Sequence, residues 1–134
     1  GATDASVLSS YGVSRSGVVS VIDPNVATTE TAACWVVVTK DGRFTYTTNT
    51  GSNSISGYAI GRDGDLTLLD ADGKTAVTGA TPIDAALSRS SRFLYELSAG
   101  AGEIGSFAVN SDGSLDPLGA VGGLPAGTVG LAAS

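Results

Sequence analysis

The amino-acid sequence repeats itself with a period of 49 residues. The segment DGRFTYTTNTGSNSISGYAIGRDGDLTLL aligns without a gap on SSRFLYELSAGAGEIGSFAVNSDGSLDPL. The identical pairs are Arg43/Arg92, Phe44/Phe93, Tyr46/Tyr95, Gly51/Gly100, Ile55/Ile104, Ala59/Ala108, Asp63/Asp112, Gly64/Gly113, Leu66/Leu115 and Leu69/Leu118. A period of this length that contains only strand-like segments is typical of β-propeller blades.

The strands inside each repeat follow from turn residues and β-branched runs. Asp-Gly and Ser-Gly pairs, which supply positive φ angles for tight hairpins, separate short runs rich in Val, Ile, Thr, Tyr and Phe. We predict four strands per blade: Cys34–Thr39, Arg43–Thr48, Ser54–Ile60 and Asp65–Leu69, then Ile83–Ser88, Arg92–Leu97, Glu103–Val109 and Ser114–Leu118. The first strand of each blade is nearly continuous in apolar and small residues, which indicates an inner strand buried on both sides.

The flanking segments are predicted to be pieces of two further blades. Ser9-Ser10-Tyr11 matches Ser56-Gly57-Tyr58, so Ser6–Val13 and Val18–Ile22 are predicted as outer strands, and Gly127–Ala133 as an inner strand. The expected fold is all-β, a partial β-propeller of four-stranded antiparallel meanders with about two full blades. The expected organisation is 1–30 outer strands and linker, 31–79 and 80–119 full blades, and 120–134 the inner strand of a following blade.

The length is short for a closed propeller. A ring needs roughly 4–8 blades, and the chain has 134 residues beginning with Gly1. We therefore expect a fragment, a processed chain or one piece of a nicked protein, with a natural mini-protein as the alternative. Its expected partners are the remaining blades or other copies of itself.

Charge and composition exclude several classes of partner. The formal net charge is −6, with seven Lys and Arg against 13 Asp and Glu, and the basic residues are scattered along the sequence. Nucleic acid binding, which needs clustered cations, is not expected. No apolar run approaches the roughly 20 residues of a membrane span. Few Lys and many Ser, Thr and Gly slightly favour a secreted bacterial protein, but the compartment stays open.

Motifs that suggest cofactors or metals lack their structural context. The run from Gly100 to Gly105 fits GxGxxG, but a strand follows it where a dinucleotide site needs a helix. Gly73-Lys74-Thr75 lacks the earlier glycine of a P-loop, and Asp70-Ala71-Asp72-Gly73 lacks the ligand spacing of an EF-hand. The sequence has no His, which removes His-based triads and zinc sites. We predict no cofactor and no metal.

The candidate site residues lie on one rim of the propeller. Turns between strands one and two, and three and four, share one rim, which we call the turn rim. The longer connections share the opposite rim, which we call the ligand rim. Trp35 and Asp84, 49 residues apart, begin inner strands at this rim, and Asn49 begins a loop there. All three are binding candidates, and Asp84 is also a candidate catalytic carboxylate; packing between blades for Trp35 and loop capping for Asp84 are the alternatives.

Three other residue types have a structural interpretation. Cys34 is interpreted as a small buried hydrophobe, because no base is visible near it. Glu96 stands inside a strand, so its carboxylate must be solvated or partnered. Arg43 and Arg92 follow the turns on the turn rim and are interpreted as structural.

At these residues the chain resembles a known family. ACWVVVTKDGRFTYTTNTGSNSISGYAIGRDGDLTLL is similar to a blade of the lactonase-type seven-bladed β-propellers, the 6-phosphogluconolactonase-like proteins related to carboxy-muconate lactonising enzymes. TPIDAALSRSSRFLYELSAGAGEIGSFAVNSDGSLDPLG is similar to the next blade, and GLPAGTVGLAAS resembles the C-terminal strand. The resemblance implies hydrolysis or formation of a sugar-acid or muconate-type lactone, with such a molecule as ligand. A non-catalytic binding or scaffold propeller and a self-assembling partial propeller are the alternatives.

Overall fold

Residues 6–134, which the computed structural model describes, form eleven β-strands in three antiparallel sheets and no helix. The strands are β1 Val7–Val13, β2 Val19–Ala27, β3 Ala33–Val38, β4 Phe44–Asn49, β5 Ser54–Ile60, β6 Leu66–Leu68, β7 Ala76–Val77, β8 Pro82–Leu87, β9 Phe93–Ser98, β10 Glu103–Val109 and β11 Leu115–Gly122. Residues 1–5, which belong to the predicted N-terminal outer-strand region, lie outside this description. The predicted all-β meander architecture is confirmed.

Each of the two full sheets is a meander that follows the order of the sequence. The first runs β3-β4-β5-β6, with the short β7 added beside β5; the second runs β8-β9-β10-β11, and β1 pairs with β2 in a third. The hairpin glycines adopt the positive φ angles that the sequence predicted, for example 70° at Gly42 and 88° at Gly64. In the second copy Ser91 takes the place of Gly42 and still adopts a φ of 56°.

The hydrophobic core lies between the two full sheets. Phe44, Tyr46 and Ile55 of the first sheet contact side chains of the second, namely Leu94, Phe107 and Leu115. The Tyr46 hydroxyl, inside this layer, donates a hydrogen bond of 2.8 Å to the Gly113 carbonyl. Face-to-face packing of consecutive sheets is how propeller blades bury their apolar residues.

The prediction that the first inner strand is buried on both sides is wrong for β3. Trp35, Val36 and Val38 are about half exposed. Val36 and Val38 border a cavity of about 290 Å³ between β3 and the β1–β2 sheet. The corresponding position beside β8 is occupied by β3 and β4, the two inner strands of the first full sheet. The β1–β2 sheet has no such inner pair among the described residues, so the face of β3 is bare.

The predicted C-terminal strand Gly127–Ala133 is not formed. These residues have no ladder hydrogen bonds, although the segment passes beside β8, where the Leu131 N–H reaches Asp84. Its assignment to the inner strand of a following blade stays a prediction. A strand requires a hydrogen-bonded partner, and the described residues supply none for this segment.

Candidate functional site

The strands β3 and β8, predicted to be the inner strands of successive blades, lie side by side and form one wall. The thiol of Cys34 lies 3.5 Å from the carbonyl oxygen of Ile83, its repeat equivalent in the next blade. Cys34 is exposed, so its interpretation as a buried hydrophobe is wrong. The thiol faces β8 at the Ile83 carbonyl, and this contact does not bury the side chain among the described residues.

Trp35 presents its side chain at this wall. It is 49% exposed, and its backbone N–H donates a 3.2 Å hydrogen bond to Thr48 Oγ1 on β4. The backbone is therefore fixed while the indole ring remains accessible. An accessible aromatic face on an inner strand can line an apolar side of a ligand pocket.

Asp84 occupies the repeat-equivalent position on β8 but has a different environment. The side chain is buried: Oδ1 accepts the Ala85 N–H at 2.7 Å and Oδ2 accepts the Leu131 N–H at 2.7 Å. Both oxygens thus bind backbone groups, and the second anchors the C-terminal segment. Its role as a catalytic or ligand-binding carboxylate stays a prediction.

Asn49 ends β4 inside a buried polar cluster. Its Nδ2 donates to Ser54 Oγ at 3.1 Å and to Ser56 Oγ at 2.8 Å, and Ser54 Oγ donates to Glu30 Oε2 at 2.8 Å. We call Glu30, Asn49, Ser54 and Ser56 the Asn49 cluster. The Asn49 side chain is fully buried, and its Oδ1 has no hydrogen-bond partner among the described residues. Its contact with a ligand also stays a prediction.

A second buried polar cluster lies at the equivalent place in the next sheet. Ser98 Oγ lies 2.9 and 3.0 Å from the two carboxylate oxygens of Glu96, which is fully buried. Glu96 and Glu103 border the same cavity of about 200 Å³, between the second sheet and the segment that follows β7. We call Glu96, Ser98 and Glu103 the Glu96 cluster. The partner required for a buried carboxylate is therefore Ser98.

The electrostatics of this second cluster are unusual. The pKa of Glu96 is raised from its ordinary value of 4.5 to about 7: burial is the main cause, the nearby charge of Glu103 adds to it, and the Ser98 hydrogen bond opposes it. A carboxyl with a pKa near 7 exchanges protons at neutral pH, a property common at functional sites and also found in structural clusters.

The structure does not bring the three candidates together into one constellation. Trp35 and Asp84 belong to the inner wall, whereas Asn49 lies in the polar layer between sheets. Sequence reasoning missed Glu30, Ser54 and Glu103. The 49-residue offset carried a signal for the last two, because it superposes Ser54 on Glu103.

Within residues 6–134, no group of three or more His, Cys, Asp or Glu side chains has the arrangement of a metal site. No helix in this part of the chain is long and apolar enough to cross a membrane.

Comparison with known proteins identifies the family. The family model described as lactonase, seven-bladed β-propeller, matches residues 9–129. The chain belongs to this lactonase family. A search of curated proteins found no match to this lactonase-family chain.

Solved structures agree with the fold of this lactonase-family chain. A protein of unknown function from Desulfotomaculum acetoxidans matches with a TM-score of 0.74 and 23% identity, over 84% of this chain and 34% of its own. A putative 6-phosphogluconolactonase from Bacteroides uniformis gives 0.70 and 16%, over 87% and 36%. The periplasmic gluconolactonase of Pseudomonas aeruginosa gives 0.71 and 20%, over 88% and 34%. The chain spans about a third of the length of these structures.

Proposed function

We propose that this chain is part of a lactonase-like propeller that hydrolyses a sugar-acid lactone. The observation that carries the proposal is the family match over residues 9–129, which includes both inner strands of the wall. Two structural neighbours, named as a putative 6-phosphogluconolactonase and a gluconolactonase, support the substrate class. Fold similarity alone does not establish an activity, so the proposal needs a direct test.

The chemistry defines what the pocket must supply. Water adds to the lactone carbonyl carbon, the ring C–O bond breaks, and the products are a carboxylate and a free hydroxyl on one open chain. This requires donors that stabilise the developing oxyanion and a group that accepts a proton from water. We assign Trp35 to the pocket wall, where its exposed indole ring contacts the apolar face of the sugar. We assign the groups that polarise the ester to blades beyond residues 6–134.

Kinetics of the complete propeller test these assignments. Trp35→Ala should raise KM for gluconolactone several-fold with little change in kcat, because a wall contact binds substrate and transition state alike. Trp35→Phe, which retains an aromatic ring, is the matched control. Lack of turnover of any sugar-acid lactone by the folded, complete propeller would favour the non-catalytic binding module instead.

Asp84→Asn tests the carboxylate candidate separately. A general acid or base contributes about 10²–10⁴-fold to the rate, so a loss of that size would place Asp84 in the chemistry. Unchanged kcat/KM would remove it from the mechanism and leave its role as the anchor of the C-terminal segment.

We also propose the kind of partner that completes the β1–β2 sheet. β1 pairs only with β2 among the described residues, so its other edge is free, and the adjacent cavity is bordered by exposed valines of β3. Two inner strands, from the remaining blades or from another copy, would pair with β1 and cover these valines. Native mass measurement tests this: a folded, strictly monomeric 134-residue species would contradict it.

A further inference from the structure

The cations of this chain gather on one rim although they are scattered in sequence. Six of the seven Lys and Arg residues stand in the hairpin turns that share the turn rim, and Lys74 lies in a connection on the ligand rim. The cations come together because they stand in these turns and alternate turns of a meander lie at the same end of the sheet. The six are Arg15, Lys40, Arg43, Arg62, Arg89 and Arg92.

Three of these cations border one groove between the two full blades. The groove has a volume of about 550 Å³, and Lys40, Arg43 and Arg92 line it together with Ser90 and Ser91. Arg89 stands beside it, at the edge of a neighbouring cavity that shares Lys40 and Ser90. The sequence TKDGRF and its repeat SRSSRF supply equivalent cations from each blade.

The groove is open for an anion. The described part of the chain contains one ion pair, Lys74 with Glu30 on the opposite rim, so none of its carboxylates is paired with the groove cations. Asp41 is the one carboxylate that lines the groove. Its Oδ1 accepts hydrogen bonds from the Thr39 hydroxyl and the Arg43 backbone N–H, which hold its pKa below the ordinary value, and the nearby charge of Arg43 lowers this pKa by a smaller amount. The three cations and the one carboxylate that line the groove give its lining a net charge of +2.

The geometry assigns this groove to a phosphate group. A phosphate monoester carries nearly two negative charges at pH 7, which matches the lining charge, whereas a monocarboxylate carries one. Guanidinium groups present paired N–H donors that fit phosphate oxygens, and the serine hydroxyls add further donors. The volume exceeds that of a bare ion and has room for a small phosphate ester. This site lies on the rim opposite the proposed lactone pocket and is independent of it.

Arg43 has a separate structural contact that guides the choice of variants. Its Nη2 donates a 3.0 Å hydrogen bond to the Ser111 carbonyl, and its guanidinium stacks 5.0 Å from the Phe44 ring. Substituting Arg43 would therefore loosen the packing of the blades. Lys40 and Arg92 form no hydrogen bond through their charged groups within residues 6–134. The Arg92 guanidinium lies 5.9 Å from the centre of the Phe93 ring, farther than Arg43 lies from Phe44, so Lys40 and Arg92 can be changed with less disturbance.

Calorimetric titration with inorganic phosphate and with glycerol 3-phosphate, at low salt, tests the proposal on the purified protein. The wild type should bind saturably, and Lys40→Gln/Arg92→Gln should weaken binding about tenfold or more, because the variant loses charge-assisted hydrogen-bond donors to the phosphate. Arg15→Gln/Arg62→Gln removes the same charge from the same rim outside the groove and should change affinity about twofold or less. Tighter binding of the ester would identify an ester as the ligand, and equal binding would identify the phosphate group alone.

Ser90→Asp provides a second variant that retains all cations. Asp is the residue at the equivalent position 41 of the first copy, so the turn accepts it. It lowers the lining charge to +1 and should weaken phosphate binding several-fold. Absence of saturable binding in the wild type, or equal losses in the groove pair and the control pair, would overturn the proposal.

Discussion

The Asn49 and Glu96 clusters occupy equivalent positions in successive repeats but solve the burial of polar groups differently. In the first, the carboxylate comes from a linker, at Glu30, and a strand serine binds it. In the second, the linker position is Gly79, and the carboxylate at Ser54's equivalent position is Glu103. A Cβ on Gly79 would collide with Glu103 Oε1. The first cluster has its carboxylate in the linker and a small residue on the strand, and the second cluster has the reverse.

A second reciprocal change in side-chain size lies on two paired strands. Ser56 of the first cluster becomes Gly105, and Thr47 becomes Glu96. The two residues of the second copy face each other in the ladder, and a Cβ on Gly105 would lie 2.6 Å from Glu96 Oε1. The fold therefore fixes the volume of this layer between blades. The kind of polar group that fills the volume is free to change.

The largest expected effect is a pH dependence of the free energy of unfolding that arises from the Glu96 cluster. The pKa of Glu96 is raised in the folded state, so the folded protein binds an extra proton between pH 4.5 and about 7. Stability from this group is fully present below pH 4.5 and is lost as pH rises to about 7, by about 3 kcal/mol in all. Glu96→Gln should abolish that loss, as measured by the free energy of unfolding in urea from pH 4 to 9.

Glu103→Gln is the matched control for this measurement. It removes the nearby charge, but burial is the larger cause of the raised pKa, so most of the pH-dependent loss should remain. Other carboxyl groups, such as Asp41 with its lowered pKa, contribute equally to both variants and cancel in the difference. An identical pH dependence in wild type and Glu96→Gln would refute the assignment.

A second, smaller effect tests whether the side chains at positions 96 and 105 share one packing volume. Gly105→Ser installs the residue of the first cluster and should destabilise the protein by about 1–3 kcal/mol, because the new side chain overlaps the Glu96 carboxylate. Adding Glu96→Thr, the first copy's residue, should recover most of this loss. Urea denaturation of the two single variants and the double variant gives the coupling energy, and simple additivity would contradict the proposed contact.

The regular part of the fold was predictable because periodicity and turn chemistry agree. The strands Ser54–Ile60 and Glu103–Val109 were predicted with their observed bounds, since Asp-Gly turns and β-branched runs delimit them. The two-residue β7, Ala76–Val77, was missed because so short a pairing leaves no periodic signal. The exposure of Cys34 was missed because burial depends on a neighbouring blade, and no local pattern records whether that neighbour is present.

The candidate site was less predictable for a related reason. The 49-residue offset made Asp84 the repeat equivalent of Trp35, but one carboxylate oxygen of Asp84 binds the Leu131 N–H, 47 residues away in a segment without strand structure. Likewise, the cations of the turn rim are far apart in sequence, and the meander brings Lys40 and Arg92 to one groove. Such contacts depend on tertiary structure, which composition and spacing do not encode residue by residue.

The smallest expected effect compares two contacts of Glu30 in the Asn49 cluster: the exposed ion pair with Lys74 and the buried hydrogen bond with Ser54. The Lys74 side chain is 46% exposed and lies 3.6 Å from Glu30 Oε1, so solvent screens the pair. Lys74→Ala should lower the free energy of unfolding by about 0.5 kcal/mol or less, and by less in high salt. Glu30→Gln should destabilise more, by about 1–2 kcal/mol, because the buried Ser54 hydroxyl loses its charged acceptor. Parallel urea titrations at low and high salt compare the two, and a larger effect for Lys74→Ala would mean that the exposed ion pair, and not the buried serine contact, holds Glu30 in this cluster.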